Sequence, residues 1–242
     1  MSEEEELEWK LAMERITMIC EASKENNVPI FIDAEETWFQ DAIDRLAEEL
    51  MRKYNTEKAM VYNTIQLYRK DRLQYLKESF AQAQKDGYKL GVKLVRGAYM
   101  EKERERAKEQ GYPSPIHESK ADTDRDYDLA LQFCIENHPH IHVLAGTHNE
   151  KSSKYLTELM TEKNLQATDA HIFFSQLYGM SDNISFNLAS NKYNVVKYVP
   201  YGPVLEVMPY LIRRAEENTS IAGQTGRELS LIIKEKARRK AS

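Results

Sequence analysis

Two adjacent arginines, Arg213 and Arg214, are the side chains of this sequence best suited to holding an anion. Each presents a rigid fork of donors that matches a carboxylate or phosphate. Glu217 lies four residues past the first and three past the second, close enough to orient either on one helix face. A solvated basic turn is the plain alternative. Ahead of them, Val195 to Val199 is a β-branched and aromatic run stopped by Pro200 and Gly202, and Pro203 has the fixed φ of a first helical turn. The pattern is a strand end that hands the chain to a binding helix.

Other polar residues stand at the ends of similar runs. Asp33 closes Pro29 to Ala34, Gln66 closes Ala59 to Gln66, and Lys93 with Arg96-Gly97-Ala98-Tyr99 closes Leu90 to Arg96. Thr147-His148-Asn149 follow His140 to Ala145, Gln176-Leu177 close His171 to Leu177, and Tyr198 ends the last strand. Each alone reads equally well as a cap or a satisfied core residue. Together they point to one mouth, where strand ends and the loops after them gather chemistry.

Amphipathic patterns predict helices between these runs, around Asp41 to Lys53, Lys70 to Lys85, Asp124 to Glu136, Glu150 to Lys163 and Ser181 to Lys192. Repeated βα units imply parallel strands with right-handed crossovers, and six units without a reversal favour a barrel over an open doubly wound sheet. At the start, Ser2 with Glu5 resembles a capping box, and Leu7, Leu11, Met18, Ile19 and Ala22 form a helical stripe ending near Asn26-Asn27. Glu101 to Arg106 reads as a solvated helical turn, and the Gly111 to Pro115 loop reads equally as a lid or a plain connection.

With 242 residues and 41% hydrophobic content, one α/β domain spanning residues 1–242 is expected. The net charge of -5 without a long basic block argues against nucleic acid as the main partner. The basic end, Lys234 to Lys240, reads as a solvated helix end, with contact to anionic lipid or a partner as the other option. Cys20 and Cys134 carry no paired motif, so no disulfide framework is expected. His138, His140 and His142 would share a face of an extended strand, but His138-Pro139-His140 looks like a loop entering a strand, and no metal site is expected. An acidic start, Met1 to Glu6, and no apolar run of membrane-spanning length suggest a cytoplasmic protein, peripheral to an inner membrane if it meets one.

Six stretches, in this order, carry a resemblance to the proline dehydrogenase family: Ile32-Asp33-Ala34-Glu35-Glu36, Ile65-Gln66, Lys93-Leu94-Val95-Arg96-Gly97-Ala98-Tyr99, Thr147-His148-Asn149, Gln176-Leu177-Tyr178-Gly179-Met180 and Tyr198 to Asn218. The resemblance covers nearly the whole chain from Val28 to Asn218, and Tyr201-Gly202-Pro203-Val204 looks most like the stand-alone, mitochondrial-type branch. It implies a TIM-barrel fold and FAD-dependent oxidation of L-proline to Δ1-pyrroline-5-carboxylate. A hydride would pass to flavin N5 and the electrons on to a membrane quinone. Arg213 and Arg214 would pair with the substrate carboxylate, and Tyr198 and Leu177 would wall the ring. Relatives acting on hydroxyproline are expected to need a smaller residue than Tyr198, so proline is favoured over that alternative.

By the same resemblance Lys93 would stand beside flavin N5, Arg96, Gly97 and Ala98 would contact the phosphates and ribityl chain, and Gln66 the flavin ring. Ala34, Thr147, His148, Asn149, Gln176 and Glu217 would complete the cofactor's surroundings, and Asp33 would help set the protonation of the amine. A phosphate-binding barrel lyase fits less well, because no glycine-rich phosphate loop follows the last strands. A closed barrel of this family has eight strands and six are found here; the first two, one of which supplies a pocket lysine, have no counterpart. Either the chain is a piece of a longer protein, or another chain supplies them, or the first helix covers the gap. Oligomerisation fits the second case, and a catalytically incompetent fragment acting as a binding partner is the alternative function.

Overall fold

The computed structural model describes residues 2–220 and 222–241, with side chains described for 2, 4–212, 229–230 and 232–240. Six strands, β1 (Ile30–Ile32), β2 (Val61–Gln66), β3 (Leu90–Val95), β4 (Ile141–Gly146), β5 (Ile172–Leu177) and β6 (Val195–Tyr198), pair in sequence order, every pair parallel. Helices α1 (Glu3–Asn26), α2 (Thr37–Tyr54), α3 (Arg72–Asp86), α4 (Met100–Gln110), α5 (Lys120–Glu136), α6 (Glu150–Glu162), α7 (Asp182–Ser190), α8 (Val204–Ser220) and α9 (Ala222–Ala241) precede, separate and follow them. All six expected strands are present, and the arrangement is a curled, incomplete barrel of the TIM type.

Burial on both faces explains why the strands read as short apolar runs. Every residue of β2 is buried, including Asn63, whose amide donates to Asp44 Oδ1 at 2.8 Å. Asp44 in turn pairs with Arg72 at 2.5 Å, so one polar thread ties α2 and α3 to the sheet. At the other end of the strands Asn55, fully buried, donates to the carbonyls of Val61 and Lys89 and accepts from the amides of Met60 and Val61. The core between sheet and helices is filled by Leu76, Leu94, Tyr127, Leu131, Leu156 and Phe174.

Two local expectations change. The capping box of α1 is present, with Glu5 and Ser2 bonding reciprocally, and Asn27 ends the helix in the left-handed region. Its packed face, however, is Met13, Ile16, Cys20 and Ser23, while Leu7, Leu11, Met18, Ile19 and Ala22 are exposed. Both sets have helical spacing, and contact with α2 decides between them. Glu101 to Arg106 is helical and exposed except at Glu103, and it is part of a longer, eleven-residue helix, α4. Glu103 within it is fully buried, accepting from the Thr37 amide at 2.7 Å and the Thr37 hydroxyl at 2.8 Å. It thereby caps α2, whose own N-cap residue Glu36 makes no side-chain cap bond.

Cys20 and Cys134 are free and buried, and burial pushes the Cys20 thiol up to about 11. Among the described residues no helix is long and apolar enough to cross a membrane.

Candidate active site

Lys93 shows how the sheet brings distant strands together. Strands lie about 4.8 Å apart, so a flat sheet would hold β3 and β6 about 14 Å apart. Yet the Lys93 ammonium pairs with Asp33, just past β1, and lies 5.9 Å from the centre of the Tyr198 ring at the end of β6. The two edge strands curl towards each other around Lys93, as closure into a barrel requires. Lys93 is mostly enclosed and Asp33 about half exposed, so the pair faces the mouth without being sealed from water. The Tyr198 ring packs on Tyr210 of α8, with centroids 5.5 Å apart. Leu177 is half-buried opposite Tyr198 in the β5–β6 register. The side chains of Arg213, Arg214 and Glu217 lie outside the described residues; the backbone there is helical, in α8.

Arg96, one residue past β3, is held from four sides. Its guanidinium donates to Asp124 at 2.6 Å, Thr147 at 2.7 Å and Ser152 at 2.9 Å, and lies 4.3 Å from the Tyr127 ring centre. Although burial works against its charge, hydrogen bonds from Lys120 and Arg96 hold the Asp124 carboxyl below the usual range. The Ser152 hydroxyl donates in turn to Asp128 at 2.6 Å. Arg96 is thus a clamp joining β3 to α5 and α6. Gly97 and Ala98 beside it are exposed. Gly97 has φ +134°, and a Cβ there would stand closer than 3.0 Å to three carbons of the Tyr68 ring, so only glycine fits this turn.

Several expected cofactor contacts have their polar atoms engaged within the protein. Gln66 donates to the Glu35 carbonyl at 2.7 Å and so anchors the loop that carries Asp33 and Ala34. Asn149 spends its side-chain oxygen capping α6 through the Lys151 and Ser152 amides. Gln176 donates to the Thr147 carbonyl at 3.2 Å and accepts from Ser185 at 2.9 Å. His148 meets Ser181 at 3.0 Å.

Several side chains without an assigned role in the sequence also hold the mouth together. Tyr99 donates to Glu35 at 2.7 Å, Lys102 pairs with Glu36, and Arg106 lies 4.3 Å from the Trp38 ring centre, so α4 clasps the loop and helix after β1. Asp124 and Asp128 stand four apart on α5, a spacing that puts both on one face, which was the available signal. Lys197 holds the turn after β5 through the Met180 carbonyl and Asp182, both at 2.8 Å. The Gly111 to Pro115 loop is pinned to the turn after β2: Lys70 donates to the Pro115 carbonyl at 2.9 Å, and Ile116 bridges Arg69.

The proline dehydrogenase family model matches residues 1–227. Among curated proteins, the chain is 42% identical over 241 residues to human mitochondrial proline dehydrogenase 1, covering 98% of this chain and 40% of that protein. It is 41% identical over 241 residues to mitochondrial proline dehydrogenase 2 of Arabidopsis thaliana, covering 98% and 51%. The chain thus spans about half the length, or less, of these relatives. A crystal structure of proline utilization A from Bdellovibrio bacteriovorus inactivated by N-propargylglycine matches with a TM-score of 0.81 at 27% identity, over 88% of this chain and 22% of that one. A proline utilization A from Bradyrhizobium japonicum shares the fold at 24% identity, with a TM-score of 0.73, over 87% and 21%.

These names correct the expected cytoplasmic location: the relatives are named mitochondrial. That expectation rested on Met1 to Glu6, six residues of a stretch that covers a fraction of its relatives, and an address is not legible there. Six parallel strands in order, polar residues converging where they end, and a match along nearly the full length lead to one conclusion: the chain belongs to the proline dehydrogenase family.

Proposed function

We propose that this chain is the catalytic barrel of an FAD-dependent enzyme that oxidises L-proline to Δ1-pyrroline-5-carboxylate, the first step of proline catabolism. The observation that carries the reading is the Lys93, Asp33 and Tyr198 cluster, drawn from both edges and the middle of the sheet to one mouth in a chain of this family.

The mouth fits the implied cofactor: Gly97 and Ala98 are exposed beside Arg96, and the Gly97 turn, which a Cβ would jam against Tyr68, lets the chain pass close to a bound group. In this reading Lys93, Gly97 and Ala98 hold FAD, and Gln66, Arg96, Thr147, His148, Asn149 and Gln176 hold the loops that surround it. When bound, FAD would supply the acceptor, at N5, for the hydride of the substrate carbon next to nitrogen. Lys93 supplies a fixed positive charge where negative charge develops. Asp33, paired with that ammonium, receives the proton of the substrate amine, because the carbon gives up hydride readily only beside a neutral nitrogen. Tyr198 and Leu177 exclude water from the apolar ring, and Arg213 and Arg214 take its carboxylate. Electrons pass to a quinone, which brings the protein to a membrane surface. A closed barrel of this type has eight strands, two more than the six seen among the described residues.

The test is the visible spectrum of the purified chain incubated with FAD, before and after anaerobic addition of L-proline. Flavin bands that bleach with proline support the reading. A chain that retains no flavin favours the second reading, an assembly partner without activity of its own, which the unpaired edges of β1 and β6 among the described residues make concrete.

A further inference from the structure

We infer that His138, Asp169 and His171 form a binding site for a first-row divalent cation, of which Zn²⁺ is the natural probe, at the end of the sheet opposite Lys93. His138 follows α5 and leads into β4, while Asp169 and His171 form the turn into β5. The three ligand atoms converge. His138 Nε2 is 3.1 Å from Asp169 Oδ2, His171 Nδ1 is 3.2 Å from Asp169 Oδ1, and the two nitrogens are 3.4 Å apart. Zinc bonds of about 2.0–2.1 Å at tetrahedral angles put neighbouring ligand atoms about 3.3 Å apart. Each of these contacts has about that spacing, and the three residues form a triangle whose ligand atoms, one from each, lie within 4.8 Å of one another, the carboxylate facing one nitrogen with each of its oxygens.

The backbone fixes the triangle. The Asp169 amide donates to the Gln166 carbonyl, its carbonyl accepts from Asn194 at 2.7 Å and from the Ile172 amide at 3.2 Å, and its Oδ1 accepts the His171 amide at 2.9 Å. The His171 carbonyl takes the Val143 amide at 2.8 Å, which locks this turn to β4. The His171 ring is wedged between His142, with centroids 4.1 Å apart, and His138, at 5.3 Å. If both imidazoles instead donated to Asp169, two N–H groups would lie side by side; a cation turns both nitrogens into lone-pair donors. All three residues are partly open to solvent, which leaves positions for water to complete the coordination. The ligand set differs from a comb of alternate strand residues: His142 points into the protein and His140 meets Lys89. Such a cation would clip the α5–β4 turn to the turn into β5, stabilising the fold without touching the mouth.

The test is titration of the chelator-stripped chain with ZnCl₂ against a chromophoric competitor, with thermal unfolding measured in parallel. The expected result is one Zn²⁺ per chain below about 10 µM, a raised midpoint, and at least about tenfold weaker binding in His171→Gln and His138→Gln. His140→Gln should bind as the parent does. Absence of stoichiometric binding at about 100 µM Zn²⁺ overturns the inference, leaving a hydrogen-bonded cluster only. So does binding that both ligand variants leave unchanged. The parent titration alone decides against the site if no cation is held, whatever the variants' folding.

Discussion

Replacing Gly97 by alanine tests the turn that carries the mouth's exposed backbone. Two costs add. At φ +134° an L side chain is strained by about 1–3 kcal/mol. The new methyl also meets the Tyr68 ring, and forcing atoms into packed space costs about 1–3 kcal/mol more. Tyr68 cannot easily retreat, since its amide donates to the Arg96 carbonyl at 2.6 Å and its carbonyl accepts from His117 at 2.8 Å, with the side chain buried. The sum is about 2–6 kcal/mol, a large share of a typical stability of about 5–15 kcal/mol. Gly87→Ala supplies the control. Gly87 has φ +76° with nothing within 4 Å of an added Cβ, so it incurs the conformational cost alone, about 1–2 kcal/mol. Urea denaturation followed by far-ultraviolet circular dichroism compares the two variants with the parent. If Gly97→Ala and Gly87→Ala lower stability equally, within about 0.5 kcal/mol, the ring contact is not there and the reasoning about this turn fails.

Glu103→Ala should cost about 2 kcal/mol in the same assay, because it strips the side-chain acceptor of the Thr37 amide at the start of α2 and leaves a void; a loss below about 0.5 kcal/mol would show the start of α2 capped by other means. Although burial works to raise it, hydrogen bonds from Arg72 and Arg69 hold the Asp71 carboxyl down to about 2. A depressed folded value means stability that is present above the unfolded carboxylate range and is lost as pH falls towards 2, and Asp71→Asn should flatten that part of the acid-unfolding curve. Lys93→Met should leave the thermal midpoint nearly unchanged, because its partner Asp33 is half exposed, and lower proline turnover about 10²-fold in a flavin-loaded enzyme. Gln176→Leu should do the reverse, losing about 1–3 kcal/mol of stability through the orphaned Thr147 carbonyl and the lost bond from Ser185, with turnover per folded enzyme changed far less.

The strands were legible because a parallel sheet covered on both faces demands consecutive apolar residues, and stretches such as Val61 to Ile65 announce themselves even with Asn63 and Thr64 inside them. The packed face of α1 was not legible. Its apolar residues occupy both sides of the helix, and only the position of α2, a tertiary fact, selects Met13, Ile16 and Cys20. Glu103 was misread for a related reason. A run of charges reads as solvated, and the need that buries this one lies at Thr37, 66 residues away.

At the mouth, the residues picked out by type and position divide into two groups by what their polar atoms already do. Gln66, Arg96, Asn149 and Gln176 have hydrogen-bonding partners within the protein and fix the loops after four different strands. Asp33, Gly97 and Ala98 lie nearer solvent, and Lys93, mostly enclosed, reaches out to them through its pair with Asp33. A site that must hold groups to a fraction of an ångström needs both, because a side chain that meets a ligand is only as well placed as the backbone beneath it. Sequence position marks strand ends without separating the two groups. The separation depends on partners such as Asp124 and Ser152, which lie 28 and 56 residues beyond Arg96 and reach it only when α5 and α6 pack beside β3.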